Sequence, residues 1–241
     1  KRARVFPALL RLWWAALAGL GAFALCLALE GYRIGPALGF GAALWVIAAA
    51  LADVADRIAL FSRPKAAWSR ARGLPRAAWG GALAHGGLGV MILGLAGMGL
   101  ATDKLALLKP GESMTLAGLE YRLTGIRSVQ GPNWTARRAT LEVRDGTRLV
   151  TVLEPDKRNF AVNRMTTSEA AIHTTFVSDL YAVLGEERDG GAIIRLHNNP
   201  LAPWIWFGGA IMALGGAVSL SDRRVRVSAP AVKAARAGVR A

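Results

Sequence analysis

The chain has 241 residues, a formal net charge of +14, one cysteine and 53% hydrophobic residues. The single Cys26 excludes an internal disulfide framework, a CxxC redox pair and a thiolate-rich metal site. The apolar residues gather in four long runs without Asp, Glu, Lys or Arg, which excludes a plain soluble globular protein.

The chain opens on a basic Lys1-Arg2-Ala3-Arg4 with no initiating Met and reads as a piece of something longer. The first apolar run covers residues 12–29, between Arg11 and Glu30, and the second covers 34–52, between Arg33 and Asp53. The third, 77–101, carries one titratable group, His85, and the fourth, 201–220, closes at Ser221-Asp222-Arg223-Arg224. A helix needs roughly 20 apolar residues to cross the hydrocarbon core, so four transmembrane helices are predicted. A signal peptide would show a shorter stretch, a cleavage site and no successors.

Charge orients these spans. The N-terminal segment with Lys1, Arg2, Arg4 and Arg11 is +4, loop 53–76 is +4, and the tail after Leu220 is +5. Together they hold +13 of the +14, and even numbers of spans separate them. Segment 102–200 has 13 basic and 12 acidic residues. Lys/Arg-rich loops stay cytoplasmic, so both chain ends are expected in the cytoplasm and 102–200 in the periplasm of a bacterium. The basic excess then reads as a topology signal with an affinity for anionic membrane lipid, and no nucleic-acid partner is expected. Trp13, Trp14, Trp79, Trp204 and Trp206 fall near span ends, where amphipathic rings favour the interface. Trp45 lies deeper and is assigned to packing.

Segment 102–200 reads as a compact, mainly antiparallel β unit, a small barrel or sandwich. Turn signals recur at Lys109-Pro110-Gly111, Ala117-Gly118, Gly131-Pro132-Asn133, Asp145-Gly146 and Asp189-Gly190-Gly191. The clearest hairpin joins residues 140–143 to 149–153 through Asp-Gly, which supplies positive φ angles. Stretch 167–184 is less strand-like and is expected to hold a short helix. The predicted organisation is thus three helices with a basic loop over 1–101, the β domain over 102–200, a fourth helix over 201–221 and a basic tail over 222–241.

No catalytic triad, carboxylate pair, phosphate loop or metal-spaced cluster is present, so the catalytic residues are unassigned. Asp53 and Arg57, four apart, read as a surface ion pair. Of the three histidines, His173 and His197 fall in the β segment and read as exposed or locally bonded. His85 is different because it sits inside a span, where an ionisable residue is costly and marks a functional site. Counting a 1.5 Å rise per residue, it lies ~12 Å from the inner end. Gly81 and Gly89 share its helix face and would leave flat backbone above and below the imidazole. That stripe serves either close helix packing or a planar macrocycle whose iron the imidazole ligates. A bis-histidine site would need a second ligand, which no other span here contains.

The span Leu83-Ala84-His85-Gly86-Gly87-Leu88-Gly89-Val90 is followed by Lys109-Pro110-Gly111-Glu112, Gly131-Pro132-Asn133-Trp134-Thr135-Ala136 and Glu154-Pro155-Asp156-Lys157-Arg158. Thr167-Ser168-Glu169-Ala170-Ala171-Ile172, Asp179-Leu180-Tyr181-Ala182-Val183-Leu184-Gly185 and Trp204-Ile205-Trp206 complete the order. This series resembles the C-terminal part of the CcmF/NrfE family, the haem lyase subunit of bacterial cytochrome c maturation, over about residues 77–224.

The resemblance implies a polytopic inner-membrane protein that receives haem from a periplasmic haem chaperone. It implies attachment of that haem to the CxxCH thiols of apocytochrome c, with a thiol-handling subunit as a further partner. It also implies a membrane haem b held by two span histidines, of which His85 matches the C-terminal one. The tryptophan-rich haem-handling segment, its two flanking histidines and the second haem b ligand have no counterpart here. The lyase reaction is therefore expected to need the remaining N-terminal part of the same family protein. The rival expectation is a non-enzymatic membrane assembly module, with His85 merely packed and the outer domain binding a protein partner.

Overall fold

A computed structural model describes residues 12–31, 33–162 and 164–222. The basic N-terminal segment and the basic tail beyond Asp222 lie outside the described residues. Helix α1 spans Trp13–Leu29, α2 Ile34–Arg57, α3 Pro64–Gly73, α4 Arg76–Met98 and α5 Ala202–Leu220. By length and composition α2, α4 and α5 can cross a membrane, whereas α1 is a shorter apolar helix of 17 residues. Helix α2 runs five residues past its apolar stretch because Asp53 and Arg57 pair one turn apart, at 2.7 Å. The basic loop contains an unpredicted element, α3, which starts with proline at its first turn, where a missing N–H costs nothing.

The helices pack in the order α1, α2, α4, α5. Small residues make that possible. A Cβ added at Gly19 would lie 2.7 Å from the Gly41 carbonyl oxygen. On α4, Gly80, Gly87 and Gly94 recur every seven residues and meet Gly215, Gly208 and Ile205 of α5 backbone to backbone. At the inner end the Asp222 carboxylate accepts the Ala77 N–H at 3.0 Å, tying the end of α5 to the orphan donors that open α4.

Between α4 and α5 the described residues form ten antiparallel strands: β1 Thr102–Leu108, β2 Ser113–Leu116, β3 Leu119–Gln130, β4 Thr135–Asp145 and β5 Arg148–Leu153, then β6 Asp156–Phe160, β7 Met165–Glu169, β8 Ala171–Thr174, β9 Ser178–Arg188 and β10 Gly191–Pro200. One sheet has the order β1-β10-β9-β8, the other β2-β3-β4-β6-β7 with β5 also on β4. Alternate residues such as Leu123, Leu141, Val143, Leu184, Ile194 and Leu196 form the core between them. Two-residue turns close the hairpins where the sequence supplies them. Ala117-Gly118 and Asp189-Gly190 each adopt two positive φ angles, whereas at the Asp145–Arg148 hairpin only Gly146 does, and Asp145 is still in its strand.

Stretch 167–184 holds no helix; it contributes to β7, β8 and β9. Its threonines, Ile172, Tyr181 and Val183 suit a pleated surface, and β6, β9 and β10 offer ladders that local propensity could not foresee. Strands β1 and β10 pair from Thr102↔Asn198 onward, so the sandwich rises from two adjacent helix ends.

Candidate functional site

His85 sits midway along α4, its side chain exposed beside α2. Its Nδ1 lies 2.7 Å from the carbonyl oxygen of Gly81, one turn earlier. A carbonyl can only accept, so in the neutral ring Nδ1 carries the proton and Nε2 the lone pair. This is the tautomer a metal-ligating imidazole uses, oriented by a backbone oxygen. The ring opens into a cleft of about 390 Å³ lined by Ala77, Ala78, Gly81 and Ala82 of α4 and by Trp45, Val46, Ala49, Ala50, Asp53 and Arg57 of α2. Its floor is alanine and glycine, its upper end carries an indole and an imidazole, and its lower end an ion pair.

The two glycines expected to flank a macrocycle part company. Around Gly81 nothing among the described residues lies within 4 Å of an added Cβ, so the backbone there is open. The room expected beside Gly89 is filled: a Cβ there would lie 2.5 Å from Ile47 Cγ1 and 3.0 Å from the Ala43 carbonyl oxygen. Gly89 therefore serves the α2–α4 contact. Trp45, assigned to packing, is about half exposed, at 48%, and walls the cleft. The Asp53–Arg57 pair also borders it, which a reading of α2 alone could not show. The spacing of Trp45, Ala49, Asp53 and Arg57 by four marks one helix stripe; only its antiparallel partner α4 turns that stripe into a wall.

The other histidines stand apart. His197 of β10 meets the Tyr181 ring edge-on at 5.4 Å, and His173 lies on β8. Among the described residues no group of three His, Cys, Asp or Glu side chains gathers as a metal site.

Two of the β-domain motifs, 131–136 and 154–158, take part in its scaffold. Asp156, only 2% exposed, receives Arg138 on both oxygens, Nε at 2.5 Å and Nη2 at 2.8 Å, with Arg158 at 3.4 Å. These hydrogen bonds, Arg138 first, hold its carboxyl below the usual range against the opposing effect of burial. Arg137 of β4 forks onto Glu187 of β9, with both contacts at 2.7 Å, joining the two sheets. Trp134 lies over Gly131 and under the Arg158 guanidinium, 4.5 Å from its ring centre.

Comparison with known proteins agrees with this architecture. Residues 99–200 match the family model described as the CcmF C-terminal beta-sandwich. The cytochrome c-type biogenesis protein ccl1 of Rhodobacter capsulatus is 41% identical over 205 residues, 83% of this chain and 30% of that protein. CycK of Bradyrhizobium diazoefficiens is 42% identical over 236 residues, 95% of this chain and 36% of CycK. CcmF of Escherichia coli is 37% identical over 192 residues, 78% of this chain and 28% of its own length. The chain thus spans about a third of the curated relatives it matches. A solved structure titled cytochrome c heme lyase CcmF shares the fold at a TM-score of 0.66 and 22% identity, over 92% of this chain and 35% of that one. The sandwich, the glycine-packed helices that carry it and these relatives together show that the chain belongs to the CcmF family of cytochrome c-type biogenesis proteins and corresponds to its C-terminal part.

Proposed function

We propose that this chain is the portion of a haem lyase that supplies one axial ligand, His85, to a haem b in the inner membrane and presents its sandwich as a docking domain for apocytochrome c. The arrangement in view is four spans with both ends cytoplasmic and residues 102–200 periplasmic. Haem iron would supply one-electron chemistry, and the chain's own task is to hold and orient. The Gly81 carbonyl fixes the imidazole, the alanine and glycine floor leaves room for a flat ring, and the apolar helices exclude water. The observation that carries the reading is a single one: the His85 ring, oriented through Nδ1 by the Gly81 carbonyl, borders a cleft between two apolar helices.

The second axial ligand would come from the remaining N-terminal part of the same family protein. An adjoining apolar groove of about 860 Å³, which shares Ala50 and Ala82 with the histidine cleft and is lined further by residues including Ile47, Leu51, Leu83, Val90 and Ile211, offers that part a seat on the helices. The haem chaperone and the thiol-handling subunit would meet the periplasmic face.

The test is the visible spectrum of the intact protein purified in detergent, with and without His85→Ala. Loss or a marked shift of a low-spin b-type signal supports ligation. An unchanged spectrum would leave His85 without a ligand role and the chain as a non-enzymatic assembly module.

A further inference from the structure

The connection between β8 and β9 is three residues long, Thr175-Phe176-Val177, and its tip is apolar. Phe176 is 66% exposed and Val177 62%. The loop stands at the outer end of α5, where Phe176 lies 5.2 Å from Trp204 and 6.1 Å from Phe207, centre to centre. The next aromatic along, Trp206, is 79% exposed on the same first turns of the helix.

The loop is built, not loose. The Thr175 hydroxyl oxygen accepts the N–H groups of Val177, at 3.3 Å, and Ser178, at 3.0 Å, while its proton goes to the Ser178 carbonyl at 2.8 Å. The same carbonyl accepts the Thr175 N–H at 2.9 Å. The Phe176 carbonyl accepts the Trp204 indole N–H, and the Val177 carbonyl accepts the Leu201 N–H, both at 2.8 Å. Leu201 holds a left-handed φ of +57° at the strand-to-helix corner, so this bond also secures the start of α5.

In hydrocarbon an unmet polar group is costly, and loops that enter it must satisfy their own. An apolar tip whose Phe176 and Val177 carbonyls are taken up by α5, beside aromatic residues at the mouth of a span, matches the chemistry of the membrane interface. The geometry points to the β8–β9 loop as a lipid-contacting tip that seats the sandwich on the outer leaflet. Phe176 and Val177 enter the interface beside Trp204, and the domain is thereby held at a fixed height over the helices. The inference rests on α5 crossing the membrane and on nothing about haem.

The test uses the intact protein in nanodiscs, with Cys26→Ser as background and single nitroxide labels at Val177→Cys, Leu214→Cys and Arg188→Cys. Leu214, 56% exposed, lies on α5, and Arg188 ends β9 at the far side of the domain from Phe176. At Leu214 and Val177, oxygen should relax the label more than a water-soluble nickel complex, and at Arg188 the order should reverse. Nickel dominance at Val177 with oxygen dominance at Leu214 overturns the loop assignment and leaves the span standing. An immobilised Val177 label shielded from both relaxants overturns it too, in favour of a covering protein segment. Nickel dominance at Leu214 overturns the loop and the span together.

Discussion

The two halves of the molecule bury opposite kinds of residue. In the sandwich the large side chains are inside: Tyr121, Leu123, Leu141, Leu184, Ile194 and Leu196 are fully covered. In the helices most covered positions are glycine or alanine, among them Gly19, Gly41, Gly80, Gly87, Gly89, Gly94, Gly208 and Gly215, while Leu17, Leu20, Leu51 and Leu214 point outward. The difference follows from the solvent. Water drives bulky apolar groups together, whereas lipid tails are as apolar as leucine, so helices in them cohere by close backbone approach. Each half should fail by its own route.

The largest effect is expected where α4 meets α5. Gly87→Leu would drive a side chain into Met212 N and the Gly208 carbonyl oxygen, 2.7 and 2.8 Å from an added Cβ. It should cost about 3 kcal/mol or more by overpacking, seen as a fall in thermal stability of the intact protein in detergent. Its neighbour sharpens the contrast. Gly86 has nothing among the described residues within 4 Å of an added Cβ, so Gly86→Ala should be neutral or gain about 0.5 kcal/mol. Equal losses at both positions would sink the backbone-contact account.

The sandwich should break electrostatically. Asp156→Asn removes the charge that Arg138 and Arg158 face and should cost about 3 kcal/mol, toward the low end for breaking a buried pair because Arg138 keeps Glu154. The sign with pH follows. A carboxyl held below its ordinary value stabilises the fold above the unfolded value of about 4 and loses that contribution as pH falls through the folded value. Glu187, held low chiefly by its hydrogen bonds to Arg137, adds to the same limb. Near-ultraviolet circular dichroism should therefore show the sandwich loosening below about pH 4, and less steeply in Asp156→Asn.

The smallest effect concerns Tyr121. Its hydroxyl is buried with no partner among the described residues, and burial pushes its pKa up to about 12. Tyr121→Phe removes an unpaired polar group, so stability should hold or rise by about 1 kcal/mol. A clear loss in thermal unfolding would reveal a partner for the hydroxyl.

Legibility in the sequence divides along the same line. Apolar runs without charge announced helices, and Asp-Gly and Ala-Gly announced hairpins, because both signals act over neighbouring residues. The short helix expected within 167–184 is absent, since β7, β8 and β9 are stabilised by ladders to β6, to one another and to β10. Helix α3 went unread because its ten residues, four of them Lys, Arg or Trp, carry no apolar period.

Hydropathy and charge are summed along the chain, so the sequence alone settled which stretches are apolar, where the basic excess lies and that His85 falls within an apolar helix. Which neighbour each face meets depends on how whole elements pack, and only the tertiary structure decided that. It filled the space at Gly89 with Ile47, left Gly81 open, made Trp45 and Arg57 walls of the histidine cleft and converted a sequence motif around Asp156 into an ionic clamp.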